Sequence, residues 1–132
     1  MTDYAELATA TNFSFLRGAS PADELVQASL RLGQNGIGIA DRNSVAGVVR
    51  VFAALRELRE SGALPPAKMH EGSGPGEYRY ETKPQGDEII RQRAKDFKLV
   101  TGARLVFADE TPDIIAYPQN RAGWGQIGRA HV

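Results

Sequence analysis

Apolar and polar positions change their period several times along the chain, and each change marks an element. Residues 4–9 (YAELAT) are short and alternate weakly, which predicts a first strand, although an alanine-rich one. Ser20-Pro21 then predicts the opening of a helix. Ser serves as N-cap, Pro fits the first helical position, and Asp23 and Glu24 lie near the positive end of the helix dipole. Leu25, Val26, Ala28 and Leu32 supply its apolar side, and Gly33 is a natural stop. Residues 36–40 (GIGIA) are continuously apolar and lead directly into Asp41, the pattern of a buried strand. The next helix is expected to begin near Asn43 or Ser44. Val45, Val48, Val49, Phe52 and Leu55 recur at i, i+3, i+4, i+7 and i+10 on one face, and Gly62 ends it.

No period survives in residues 63–86, where Pro, Gly and charge dominate. This stretch reads as a mobile loop or insertion, longer than compact domains usually carry. Residues 87–97 (DEIIRQRAKDF) predict a short helix with Ile89, Ile90, Ala94 and Phe97 on one side. Residues 98–107 (KLVTGARLVF) and 113–118 (DIIAYP) predict two strands joined by the turn-rich ADETP. Residues 120–132 (NRAGWGQIGRAHV) begin like a helix. Strand, helix, strand, helix and further strands imply an α/β layout, without internal repeats.

Composition narrows the function. With 132 residues, the chain has length for one domain with a real core. Hydrophobic residues at 42% and charged residues at 24% match a soluble globular protein. Lys plus Arg number 16 and Asp plus Glu number 16, so net charge offers no drive toward nucleic acid or an acidic membrane. The absence of Cys excludes disulfides and thiolate metal sites and suits the cytoplasm. The first ten residues lack the basic and apolar regions of a signal peptide, and no apolar run reaches the ~18 residues of a membrane span.

Few residues are placed for chemistry. Asp41 follows a predicted buried strand, where α/β barrels carry catalytic groups; from the residues alone, a loop Asp capping the following helix is the favoured reading. His70 and His131 lie in the Pro/Gly-rich segment and near the last residue, without partners at ligand spacing, and supply no credible general base. The glycine-rich residues 72–77 (GSGPGE) follow no strand and open no helix, so they lack the context of a phosphate cradle. Tyr78 and Tyr80 alternate with Arg79 and Glu81; an edge strand or disordered segment is favoured over a stacking platform for bases.

Three longer stretches carry a resemblance: residues 4–26 (with NFSFLRGAS), 36–50 (with ADRNSVAGVVR) and 100–125 (with GARLVFADETPD). Together they resemble the PHP domain at the N-terminus of bacterial C-family DNA polymerases. The form they are most similar to is the error-prone, translesion branch, a relative of the DNA polymerase III alpha subunit. The resemblance implies an α/β fold: a partial PHP-type (β/α) barrel, cut off after about half of the domain. On this reading residues 1–132 are the N-terminal part of a PHP domain, with a flexible insertion at 63–86. The polymerase palm, fingers and later strands would follow Val132.

Active PHP domains bind metal and cleave phosphoesters. Their first strand carries a His-x-His pair, and alignment places Ala8 and Ala10 there. The next strand usually ends Asp-His, where this chain has Asp41-Arg42. A Glu ligand normally follows the glycine of a later strand, where Gly102 is followed here by Ala103 and Arg104. Alanine offers a metal no lone pair, and a permanently charged guanidinium repels a cation. The resemblance therefore implies a vestigial metal site at Ala8, Ala10, Asp41, Arg42 and Arg104, with no catalytic residues, metal or cofactor. An ion pair of Asp41 with Arg42 or Arg104 is the expected replacement.

The function expected is that of a non-catalytic scaffold within an error-prone DNA polymerase that acts in damage tolerance. Its partners would be the remainder of the polymerase chain and damage-tolerance proteins, without direct nucleic-acid or membrane binding. A small metal-dependent PHP-type phosphoesterase and a stand-alone interaction module are the alternatives. Limited proteolysis checks the segment assignment: residues 63–86 lack apolar surface to offset their ordering cost, so the first cuts should fall near Lys68, Arg79 or Lys83. First cuts elsewhere would contradict it.

Overall fold

The structure, a computed structural model, describes residues 3–64 and 87–130. The element order is β1 (Ala5–Thr9), α1 (Ala22–Arg31), β2 (Gly36–Arg42), α2 (Ala46–Ser61), α3 (Asp87–Asp96), β3 (Lys98–Leu105), β4 (Ile114–Ala116) and α4 (Arg121–Ala130). The strands form one curled, open sheet in the order β1-β2-β3-β4. β1, β2 and β3 are parallel, and β4 returns antiparallel against β3. The predicted α/β layout and all eight elements are present. The expected insertion lies outside the described residues except for Ala63 and Leu64, and Leu64 packs against the core. His70, His131, residues 72–77, Tyr78 and Tyr80 also lie outside them.

One core is built between the sheet and α1, α2 and α3. Val26 and Leu30 of α1, Ile37 and Ile39 of β2, Val51, Leu55 and Leu58 of α2, and Ala94 and Phe97 at the end of α3 are all buried in it. Ile37 and Ile39 are two apart and so point to the same face of β2. Gly36, Gly38 and Ala40 occupy the opposite face. β1 carries a bulge between Glu6 and Thr9, so that Leu7 and Ala8 together face Gly38. A β-carbon at Gly38 would lie 2.8 Å from Leu7 Cα, and only glycine admits the bulged strand so close.

Several faces differ from the sequence expectation. In α1 the buried stripe is Ala22, Val26, Ser29 and Leu30, whereas Ala28 and Leu32 are exposed. Its N-cap position is Pro21, without a side-chain cap; the Ser20 carbonyl instead accepts a hydrogen bond from Asn12 N at 3.0 Å. α2 begins at Ala46, later than expected, and turns Gly47, Val51, Leu55 and Leu58 inward. Val45, Val49 and Phe52 face outward, with Val49 65% exposed. Both faces of α2 are apolar, so the period alone could not tell which one the sheet covers. Ile89 is likewise exposed beside buried Ile90.

Arg59 locks the helix layer. Its Nε donates to the Ala94 carbonyl at 2.8 Å and its guanidinium donates to the Phe97 carbonyl at 3.1 Å. Both acceptors lie at the carbonyl end of α3, where the helix leaves acceptors unfilled and the dipole favours a cation. Arg93 reaches back from α3 to the Leu30 carbonyl at the end of α1. Arg59→Ala should cost about 2 kcal/mol in denaturant unfolding, and Arg59→Lys should recover part of it through one of the two bonds. Equal losses in both variants would mean that packing of the side-chain stem dominates.

Candidate functional site

The C-terminal ends of β1, β2 and β3 converge, and Asp41 is the group around which they are organised. Its side chain has no solvent exposure. It lies on the face of β2 that carries Ile37 and Ile39, next to the first turn of α2. Three hydrogen bonds reach its carboxylate. Thr11 N donates to Oδ1 at 2.7 Å, Thr11 Oγ1 to Oδ2 at 2.8 Å, and Ser14 Oγ to Oδ1 at 2.7 Å. Both hydroxyls are themselves acceptors, from Phe13 N at 3.2 Å and from Arg42 N at 2.9 Å. Each chain of donors thus ends on one carboxylate, the arrangement in which hydrogen bonds strengthen one another. Gly47 completes the enclosure, because a β-carbon there would overlap Asp41 Oδ2 and crowd Thr11 Oγ1 to 2.6 Å.

This geometry corrects both expectations for Asp41. It does not cap α2, which has no side-chain cap hydrogen bond. Nor does it pair with arginine: among the described residues its partners are Thr11 and Ser14, while Arg104 lies 3.8 Å from Asp113. The physical reason is alternation. Asp41 points to the helix side of the sheet and its neighbour Arg42 to the other side. Thr11 and Ser14 carried no signal as single letters; the sign was the presence of two hydroxyls in a turn-rich run following a strand.

The other singled-out positions fall nearby. Ala8 is exposed in the bulge of β1, and Ala10 is half-buried just beyond that strand. Arg42 and Arg104 are register partners on β2 and β3. Asn43 fixes this level of the sheet: its N donates to the Arg104 carbonyl at 2.9 Å, its Oδ1 accepts from Val106 N at 2.9 Å, and its Nδ2 donates to the Val106 carbonyl at 3.4 Å. Asn43 adopts φ +47, a left-handed conformation that asparagine tolerates better than most residues.

The donor set does not suit a metal ion. Ala8 and Ala10 have no ligating atom, Arg42 and Arg104 are cations, and both oxygens of Asp41 are already engaged. Among the described residues no group of three or more His, Cys, Asp or Glu could hold one. Burial raises the pKa of the Tyr117 hydroxyl; Glu6 adds to the rise and Arg104 opposes it. That hydroxyl donates to the Leu7 carbonyl in the β1 bulge, so Tyr117 crosses the sheet from the end of β4. A hydrogen bond from Tyr4 is the main cause that lowers the Glu6 pKa.

The loop that Asp41 holds, residues 10–20, turns its aromatic and aliphatic side chains outward. Phe15 is 80% exposed and Leu16 89%, and Leu16 has φ +61, strained for a residue with a β-carbon. Turn hydrogen bonds from Ser14, Arg17 and Gly18 nitrogens keep the loop ordered.

Comparison with known proteins points in one direction. The chain is 40% identical over 126 residues to error-prone DNA polymerase 1 of Rhizobium meliloti. It is 43% identical over 128 residues to the error-prone DNA polymerase of Sinorhizobium medicae, and 42% over 128 residues to that of Mesorhizobium japonicum. These matches cover 96%, 97% and 96% of this chain, and the chain spans 8% of the length of each of these curated relatives. No family model matches, and neither does any solved structure.

Replacing Asp41 by Ala would strand Thr11 N and two hydroxyls in a site without water access. The expected loss is about 3–5 kcal/mol, well above the ~1 kcal/mol of a lost cap. In double-mutant cycles Asp41→Ala should couple strongly with Ser14→Ala and add independently to Arg104→Ala. Coupling to Arg104 in place of Ser14 would contradict this network.

Proposed function

We propose that this chain is a segment of an error-prone DNA polymerase, folded as part of a PHP-type barrel and serving as a non-catalytic scaffold. The observation that carries the proposal is identity of about 40% across nearly the whole chain to proteins that are all named error-prone DNA polymerase. The parallel β1-β2-β3 arrangement with helices packed on one face supports the barrel assignment. The chemistry of Ala8, Ala10, Arg42 and Arg104 supports the scaffold reading, with Asp41 fastening a loop. The outward-facing Phe15, Leu16, Val49 and Phe52 are the surface expected of a segment that packs against more protein. DNA synthesis and its substrates belong, on this proposal, to the longer polypeptide.

Complementation in trans tests the proposal. The chain should associate with an error-prone polymerase from which the matching segment has been deleted, raise its thermal stability and restore primer extension. In the same preparation the chain alone should hold no stoichiometric Zn, Mn or Mg. About one tightly held ion per chain, with hydrolysis of a phosphomonoester, would replace the scaffold reading with that of a phosphoesterase. Failure to associate would refute the polymerase assignment of this segment.

A further inference from the structure

α2 turns one side to the core and leaves the other uncovered among the described residues. Val51, Leu55 and Leu58 are buried, and α1 and α3 both pack against the helix. On the outer side Val49, Ala53, Arg56 and Glu60 recur at i, i+4, i+7 and i+11 and form one ridge. Phe52 lies on one flank of that ridge; Arg50 and Glu57, two turns apart, lie on the other. All seven residues are exposed. A shallow groove of about 270 Å³ runs here, lined by the ridge together with Phe52 and Glu57. Its described lining comes from this single helix, so it has one wall only. Arg56 and Glu60 already neutralise each other at 3.0 Å. Arg50 and Glu57 take part in no ion pair among the described residues.

From this pattern we infer that the outer face of α2 is a self-association surface, covered by α2 of a second copy of this chain running antiparallel. The midpoint between Arg50 and Glu57 falls between Ala53 and Ala54. A two-fold axis at that point turns each Arg50 toward Glu57 of the other copy, so one interface carries two opposite-charge pairs. The same axis brings Ala53 beside its own equivalent, where a small side chain lets two helices approach closely. On the other flank the two Phe52 rings are offset by three residues, about 4.5 Å along the helices, within reach of a ring contact. A parallel pair loses this match, because the Arg50 and Glu57 flank then meets the Phe52 flank and both charges face an apolar edge. The apolar centre supplies the adhesion and the charge pairs select the orientation. One helix pair, each helix 16 residues and about 24 Å long, belongs to the small class of interfaces below ~1,200 Å². The dimer is therefore weak, with a Kd on the order of 10–100 μM. The inference stands apart from the polymerase reading: complementation reports association with a polymerase, whereas self-association is read from the chain alone.

The test is sedimentation velocity of the 132-residue chain from about 5 to about 500 μM at ~50 mM salt, where charge pairs are weakly screened. The mean mass should rise from 14.3 kDa toward twice that value. Arg50→Glu and Glu57→Arg each set like charges against each other across the axis and should weaken self-association about tenfold or more. Mixed in equal amounts, these two variants should associate again, since Glu at both positions of one chain then meets Arg at both positions of the other. Thermal melts confirm that each variant is folded. The chain has no Cys, so a single introduced one reports the geometry. Mild oxidation should cross-link Ala53→Cys to itself but leave Glu60→Cys uncoupled, because the two copies of position 60 stand about 20 Å apart in the antiparallel pair. A mass of one chain at every concentration overturns the inference. So does self-association that neither charge variant weakens, a mixture of the two that stays monomeric, or cross-linking through Glu60→Cys.

Discussion

One buried carboxylate ties the end of β2 to the loop after β1, and much of the local architecture follows from it. Asp41 cannot be left in the interior without donors, since stranding a polar group there costs more than the bonds return. Thr11 and Ser14 supply the donors, so the chain after β1 must fold back over the strand end. That return sets where α1 starts, and it leaves Gly47 as the residue that fits beside the carboxylate in the first turn of α2. Burial of Ile37 and Ile39 secures the middle of β2. The hydrogen bonds to Asp41 secure its end, where no apolar side chain could do so.

Elements were more legible in the sequence than faces. Strands and helices followed from local signals: the apolar run at 36–40, and the glycines at 33 and 62, which stop their helices with φ +77 and φ +70. Faces depend on what lies across from them. In α2, Val45, Val49 and Phe52 make as good a stripe as Val51, Leu55 and Leu58, and only the sheet's position decides between them. The site was legible in part. Asp41 stood out by its place after a buried strand, but its partners were misassigned, because charge suggested arginine while strand alternation put arginine on the other side. Hydroxyl donors leave little trace in a sequence, as Thr and Ser are common in any turn.

The resemblance and the geometry bear on different questions. Similarity to long polymerases bears on the proposed setting of this chain. The geometry concerns the chain itself: three hydrogen bonds enclose a carboxylate on the helix side of the sheet, and two arginines stand on the other side. These features need not share a history. An alanine side chain offers no group to bind with, whereas a paired arginine adds a charge that something must balance.

β2 and β3 are sequence-distant neighbours: the Asn43 side chain meets Val106 across a separation of 63 residues. Closing a loop that long delays pairing until most of the chain exists, so the centre of the sheet is a late event in folding. Loop closure, however, depends only on the logarithm of length. Adding or removing about twenty residues between the two strands shifts its cost by on the order of 0.3 kcal/mol. The stretch between α2 and α3 is thus a place where length can drift over generations at almost no thermodynamic cost, while a single methyl group at Gly47 is barred.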